Sequence, residues 1–226
     1  MYWKDEGYLL SKNNFDENSI IIEVFTLDHG KYTGIVYGGT SRKNKGKFQI
    51  GNKFLFFWKS KNENKSGYFD GELIKAVSPP FFENKKKKIS ILSSASLLKI
   101  LLPERQINRK IYNSFENMLN DLTKENWIQS YVHWELSLIK ELGFEINLSN
   151  TNNLMNHLND TIKNNSLIKE IPKIIKNKNL INISSKDVIE ALNFNKKLIM
   201  ENFVIPNRLK FPLFRNVLEK YYAANN

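Results

Sequence analysis

The sequence predicts an α+β protein: a five-stranded β-barrel at the N-terminus, then an all-helical remainder. Three observations predict it. As far as about residue 77, runs of aromatic and β-branched residues alternate with short clusters of turn residues, the pattern of strands joined by hairpins. Ser78-Pro79-Pro80 then ends that pattern, because neither proline can donate to a strand ladder. Beyond Ile89 the apolar residues recur at three- and four-residue spacing, a helical period.

The predicted strands are Tyr2 to Leu10, Ile20 to Leu27, Tyr32 to Tyr37, Phe54 to Trp58 and Tyr68 to Val77. Asn13-Asn14, Asp28-His29-Gly30, Gly38-Gly39 and the stretch from Asn62 to Gly67 supply the turns. In the second strand Ile20, Ile22 and Val24 share one face while Ile21, Phe25 and Leu27 share the other. Two apolar faces imply a sheet covered on both sides, as in a small closed barrel docked against something else. Five short strands in this length fit the oligonucleotide-binding barrel, the OB-fold. The expected organisation is a barrel domain over 1–80, a linker over 81–88 closing on Lys85-Lys86-Lys87-Lys88, and a helical domain over 89–226.

Within the helical part, Ile111, Phe115, Met118 and Leu122 form one apolar stripe, and Trp127, Tyr131, Trp134 and Leu138 form another. Gly143 stands where the second helix wants a left-handed cap. From Asn147 to Asn182 the chain is rich in asparagine and lysine, with weak apolar spacing at Leu154 and Leu158 and at Ile171, Ile174 and Ile175. Ser184 with Asp187 three residues on reads as a helix start, and Val188, Leu192, Ile199 and Phe203 as its buried stripe. A last helix places Leu213, Val217 and Tyr221 together, beside Phe214 and Leu218.

The 226 residues carry a net charge of +11, which favours an anionic partner: nucleic acid, an acidic peptide or an anionic lipid surface. There is no cysteine, so disulfides and thiolate zinc sites are excluded and a cytoplasmic home is expected. The N-terminus carries Asp5 and Glu6 where a signal peptide is cationic and then apolar. The greasiest stretch, Ile89 to Leu102, is interrupted by serines and Lys99 and is too short to cross a bilayer, so no membrane partner is expected.

The stretch from Gly34 to Asn52 is the most informative. An apolar strand runs into Gly38-Gly39, then a loop carrying Arg42, Lys43, Lys45 and Lys47 without an acid, then a second strand. Cations on a short loop between strands suit phosphate, where the contact needs charge and reach more than enclosure. Tyr32, Tyr37, Phe48, Phe56 and Trp58 are interleaved with Lys31, Lys53 and Lys59 as well. A groove of cations and flat rings is what sequence-tolerant single-strand binding requires. Alternation puts Phe54, Phe56 and Trp58 on one face of their strand and Leu55 and Phe57 on the other; one of the two sets is core.

No catalytic constellation is legible. His29, His133 and His157 lie far apart without metal-ligand spacing, and neither a phosphate-cradling glycine motif nor a nucleophile elbow occurs. The protein is therefore read as a binder, not an enzyme, with no cofactor. A metal-dependent nuclease using barrel-edge carboxylates, an RNA-binding OB protein and a pure protein adaptor stand as alternatives.

Trp3-Lys4-Asp5-Glu6-Gly7 opening a strand, Asn18-Ser19 leading into Ile20 to Thr26, and the stretch from Gly34 to Asn52 resemble the N-terminal domain of the RecO family of bacterial recombination mediators. Leu102-Pro103-Glu104-Arg105 and the run from Trp134 to Phe144 resemble that family's helical domain. The resemblance implies a DNA repair and recombination protein that is cytoplasmic, nucleoid-associated and monomeric by itself. It implies binding of single- and double-stranded DNA and annealing of complementary strands. It also implies help, with RecR, in loading RecA onto strands coated by the single-stranded-DNA-binding protein SSB. Where this implication meets the interleaved cations and rings, the expected DNA-contacting residues are Lys31, Tyr32, Tyr37, Arg42, Lys43, Lys45, Lys47, Phe48, Lys53, Phe56, Trp58 and Lys59. For the acidic, apolar-ended SSB tail, a hydrophobic pocket rimmed by cations is expected around Trp134 and Leu138 or around Arg208, Leu209, Lys210, Phe214 and Arg215. Many members hold zinc on four cysteines after the Leu-Gly-Phe segment. Here the segment from about 147 to 184 has none, and zinc is not carried over.

Overall fold

The structure is a computed structural model describing residues 1–61, 67–144, 171–177 and 180–224. Its first 75 residues form five strands, β1 (Tyr2–Asn14), β2 (Ser19–Thr26), β3 (Gly30–Tyr37), β4 (Lys53–Lys59) and β5 (Gly67–Lys75). They close into a barrel in the order β1-β2-β3-β5-β4. All pairings are antiparallel except β3 with β5, a short parallel contact at Gly34–Gly67 and Ile35–Tyr68. The expected OB-type barrel and the helices after it are thus present.

The barrel interior is filled by Leu9, Ile20, Ile22, Val24, Val36, Phe48, Phe54, Phe56, Trp58 and Phe69, with Trp3 and Tyr32 against them. This decides the face left open by the sequence: Phe54, Phe56 and Trp58 point inward, and Leu55 and Phe57 outward. Phe54 stacks on both Phe48 and Phe56, with centroids 5.0 and 5.1 Å apart. Where β5 begins, its backbone passes so close to the Trp58 indole that a Cβ on Gly67 would lie 2.2 Å from Nε1, so only glycine lets the strand close there.

The basic stretch is not a loop. Arg42–Lys47 forms a short helix, α1. Ser41 caps it by accepting from the Asn44 amide, and the Asn44 side chain donates to the Gly38 carbonyl (2.9 Å). Lys45 and Lys47 fall in its last turn, where the carbonyl ends favour cations. Phe48 then drops into the barrel.

Ser78 and Val77 both donate backbone amides to the Asn52 side chain (3.1 and 2.9 Å), which ties the end of the sheet to the turn before β4. A 3-10 turn, Pro79–Phe81, leads directly into α2 (Lys85–Leu101), so the four lysines expected in a linker are the first turn of a helix. Ile91 of α2 lies against Gly51, whose φ of +88° suits glycine and whose Cβ, if it had one, would meet Ile91 at 2.3 Å.

The next helix, α3 (Arg109–Asp121), presents Ile111, Tyr112, Phe115, Met118 and Leu119 as its buried face, close to the expected stripe. Tyr8 and Phe25 of the barrel pack on Tyr112 and Phe115, which covers the second apolar face of β2. Burial pushes the pKa of the Tyr8 phenol up, so it stays protonated and donates to Glu116 (2.7 Å). Burial opposes ionisation of Glu116, but the bonds from Lys53 and Tyr8 outweigh it and hold the carboxyl below its usual range. A depressed carboxyl stabilises the fold above its unfolded-state pKa and loses that contribution as pH falls through the folded value. Glu116→Gln is therefore expected to narrow the difference in urea midpoint between pH 6 and pH 3. An unchanged difference would mean that Glu116 is not tied to the fold in this way.

By contacts the chain divides into residues 1–119 with 212–218, and 120–211 with 219–226. The second unit holds α4 (Trp127–Glu141), the short α5 (Lys173–Lys176), α6 (Ser185–Ile199) and a π turn, Met200–Val204. Ser184 and Asp187 close a reciprocal capping box on α6, as their spacing predicts. α6 buries Val188, Ala191, Leu192 and Ile199 among others, and its buried Asn195 donates to Glu135 and to the Val132 carbonyl of α4, both at 3.0 Å. The last helix, α7, is Leu213–Ala223. The expectations at Leu154 and Leu158 fall outside the described residues. No described helix is long and apolar enough to cross a membrane.

Candidate nucleic-acid interface

Strand alternation that sends Phe54, Phe56 and Trp58 inward sends Phe57 and Lys59 outward. Register then sets Lys59 between Tyr2 of β1 and Tyr68 of β5. The result is a row of side chains on the outer surface of the sheet. Tyr2 is 59% exposed, Tyr37 66% and Tyr68 41%, so three rings offer their faces to solvent. Tyr37 and Tyr68 stack, with centroids 5.0 Å apart and planes 18° from parallel. A hydrogen bond between their side chains raises the Tyr37 phenol above its ordinary pKa, which keeps it uncharged. The Lys59 ammonium lies 5.7 Å over the Tyr2 ring.

These residues line one side of an open cleft of about 580 Å³ that continues past Phe57 to Lys47 of α1. Lys47 is braced by a cation–π contact to Phe48 (5.4 Å). Asp70 and Glu72 of β5 line the same cleft, so it is not uniformly positive. Arg42, Lys43 and Lys45 stand exposed on α1. Flat rings beside separate cations can stack bases and neutralise phosphates.

Several expected contacts are corrected by burial. Phe48, Phe56 and Trp58 are 1%, 0% and 2% exposed, so they are barrel core and cannot stack a base. Lys31 is buried with its ammonium donating to the Lys99 carbonyl (2.8 Å), and desolvation lowers its pKa. Lys53 is held between Glu6 and Glu116, both at 2.8 Å. Burial pulls its pKa down, but those two carboxylates more than compensate and raise it. Lys53 fastens α3 to the barrel and is no phosphate contact. Tyr32 is half-buried edge-on to Trp3 and Trp58, with the Arg105 guanidinium 5.4 Å over its ring. Tyr37, Arg42, Lys43, Lys45 and Lys59 are exposed, and Lys47 is half-buried. Tyr2, Phe57 and Tyr68 line the cleft without any signal in the sequence, because their neighbourhood exists only once β1, β4 and β5 are in register.

Of the residues expected around the acidic tail, Trp134, Leu138 and Arg215 are buried and offer no receiving surface. Their helical period signals core, and Arg215 is a fully buried cation that the sequence does not distinguish from an exposed one. Arg208, Leu209, Lys210 and Phe214 are exposed, and Arg208 sits at φ +53°. Among the described residues no three of His, Cys, Asp and Glu come together to hold a metal. Without a cysteine in the chain, the residues present do not fit a thiolate zinc site.

Residues 1–77 match the family model described as Recombination protein O N terminal, and residues 88–167 match Recombination protein O C terminal. The chain belongs to the RecO family. It is 34% identical over 152 residues to the DNA repair protein RecO of Wolbachia pipientis subsp. Culex pipiens (strain wPip), covering 66% of this chain and 62% of that protein. It is similar also to the DNA repair proteins RecO of Rickettsia africae (strain ESF-5), 36% identical over 146 residues, and of Jannaschia sp. (strain CCS1), 33% identical over 149 residues. Those matches cover 65% and 66% of this chain, and 61% of each RecO relative. The chain thus spans less than two thirds of the length of these RecO proteins.

Proposed function

We propose that this RecO-family chain is a non-catalytic DNA repair and recombination mediator whose barrel grips single-stranded DNA through the Tyr2–Tyr37–Tyr68 face. The observation that carries this reading is the exposed, stacked Tyr37–Tyr68 pair flanked by Lys59 and Lys47. Bases stack on the rings, and the lysines neutralise the backbone without reading sequence. Arg42, Lys43 and Lys45, exposed on α1, suit the phosphates of single- and double-stranded DNA alike. A protein that holds unstacked bases by one face leaves their pairing edges free, which is the condition for annealing complementary strands. With RecR it would then help load RecA onto SSB-coated strands, at the nucleoid in the cytoplasm, as a monomer and without a cofactor. The acidic SSB tail would meet the exposed Arg208, Leu209 and Lys210.

Two measurements test the reading. In a strand-annealing assay on SSB-coated complementary oligomers, the protein is expected to accelerate pairing; no acceleration would remove the mediator role. If about five phosphates of a single strand are neutralised, log affinity falls with log salt at a slope near −3.5. Replacing Arg42, Lys43 and Lys45 by alanine should reduce that slope by about 2, at about 0.7 per phosphate, equally for all sequences. An unchanged slope would clear α1 of any DNA contact. Cleavage of labelled DNA with magnesium would favour a nuclease instead, and preference for a matched RNA would favour a site that contacts the 2′-hydroxyl.

A further inference from the structure

A second cationic surface lies on the barrel unit outside the cleft. Between Ala76 and Ile89 the chain carries Phe81, Phe82 and four lysines against a single acid, Glu83. No acidic residue stands in the first turn of α2 to offset the charge. Phe82 is 49% exposed. The Lys88 ammonium lies 4.9 Å over its ring and the Lys87 ammonium 5.5 Å over Phe81, so two lysines are held over two rings. Crowded like charges cost stability unless an anion relieves them.

The place of this patch on the barrel matters. The cleft begins at the Lys59 end of β4, and Lys53 to Lys59 spans roughly 20 Å at strand rise. Its other end, at Lys47, meets the turn before β4, where the Asn52 side chain donates to the Lys47 carbonyl (3.1 Å). That same Asn52 accepts from Val77 and Ser78, the latter three residues before Phe81, and Gly51 beside it lies against Ile91 of α2. The Lys47 end of the cleft and the chain leading into the patch are therefore tied together through one side chain.

We infer that Phe81, Phe82, Lys85, Lys87 and Lys88 form a second polynucleotide contact, engaged by the same strand that occupies the cleft. This rests on the reading of the cleft as a single-strand site. The rings and lysines suit a sugar-phosphate chain with unstacked bases. Joining two weak contacts through one strand raises affinity without a new contact at either.

The test is fluorescence anisotropy on the full chain with labelled dT4 and dT20, for the wild type, K85A/K87A/K88A and Y37A/Y68A, with thermal melts run alongside to confirm folding. The triple lysine variant is expected to lose about tenfold or more on dT20, to bind dT4 within twofold of wild type, and to show a salt slope on dT20 shallower by about 2. Unchanged dT20 affinity and slope overturn the inference. So does an aspartate-rich peptide ending in phenylalanine that needs these lysines while dT20 does not, which would make the patch a protein-docking surface. Unchanged dT4 binding by Y37A/Y68A overturns the cleft reading, and with it one strand spanning both contacts.

Discussion

Replacing both Tyr37 and Tyr68 by alanine is expected to weaken single-strand binding by about 30- to 700-fold, whatever the sequence. The figure follows from base–aromatic stacking of about 1–3 kcal/mol per base, summed conservatively to about 2–4 kcal/mol because the rings touch each other and their losses do not add fully. Both rings are exposed, so their removal takes little from the core and the melting temperature should hardly move. Tyr→Phe at both positions keeps the ring faces and should bind nearly as wild type, which separates stacking from hydroxyl chemistry. A double alanine variant that binds normally would mean that bases do not lie on this face. The salt slope should stay unchanged in the same variant, because no phosphate contact is removed.

Phe56→Ala is expected to do the opposite. Phe56 is fully buried, stacked on Phe54 and edge-on to Phe69 at 5.4 Å, in a barrel too small to collapse around the void. Truncation of a buried phenylalanine costs about 3–5 kcal/mol, which in a chain of this size lowers the melting temperature by about 6–20 °C. Calorimetry checks the first effect. Titration of the remaining folded protein checks the second: affinity per folded molecule should match wild type. A stable variant with weakened DNA binding would restore Phe56 to the interface, where the sequence had placed it.

The contrast between these two variants shows what the sequence makes legible. The strands, the proline stop and the helical stripes depend on local composition and period, so they can be read residue by residue; the Ser184–Asp187 box is complete within four residues. The interface depends on register. Nothing near Tyr68 in the sequence says that Lys59 will lie beside it or that Tyr37 will stack on it; those neighbours come from strand pairing and barrel closure. Aromatics interleaved with lysines between Lys31 and Lys65 looked alike in the sequence, yet pleat alternation sends Phe56 and Trp58 inward and Phe57 outward. Lys53 illustrates the same point for charge. Its partner Glu116 lies on a helix more than sixty residues away, and only the docked α3 turns an apparent phosphate contact into an internal ion pair. The helix α1 is not legible in the sequence because its capping bonds, from the Asn44 amide to Ser41 and from the Asn44 side chain to Gly38, compete with a loop only when the flanking strands hold both ends.

The most direct measurement is photocrosslinking of a single-stranded oligomer carrying iododeoxyuridine, followed by peptide mapping of the adducts. Excitation joins the base to the ring it stacks on, so adducts are expected at Tyr37 and Tyr68, with Tyr2 as a further site. Adducts confined to the helical unit over residues 120–211, or spread without preference over exposed tyrosines, would contradict a strand held on the outer face of the barrel.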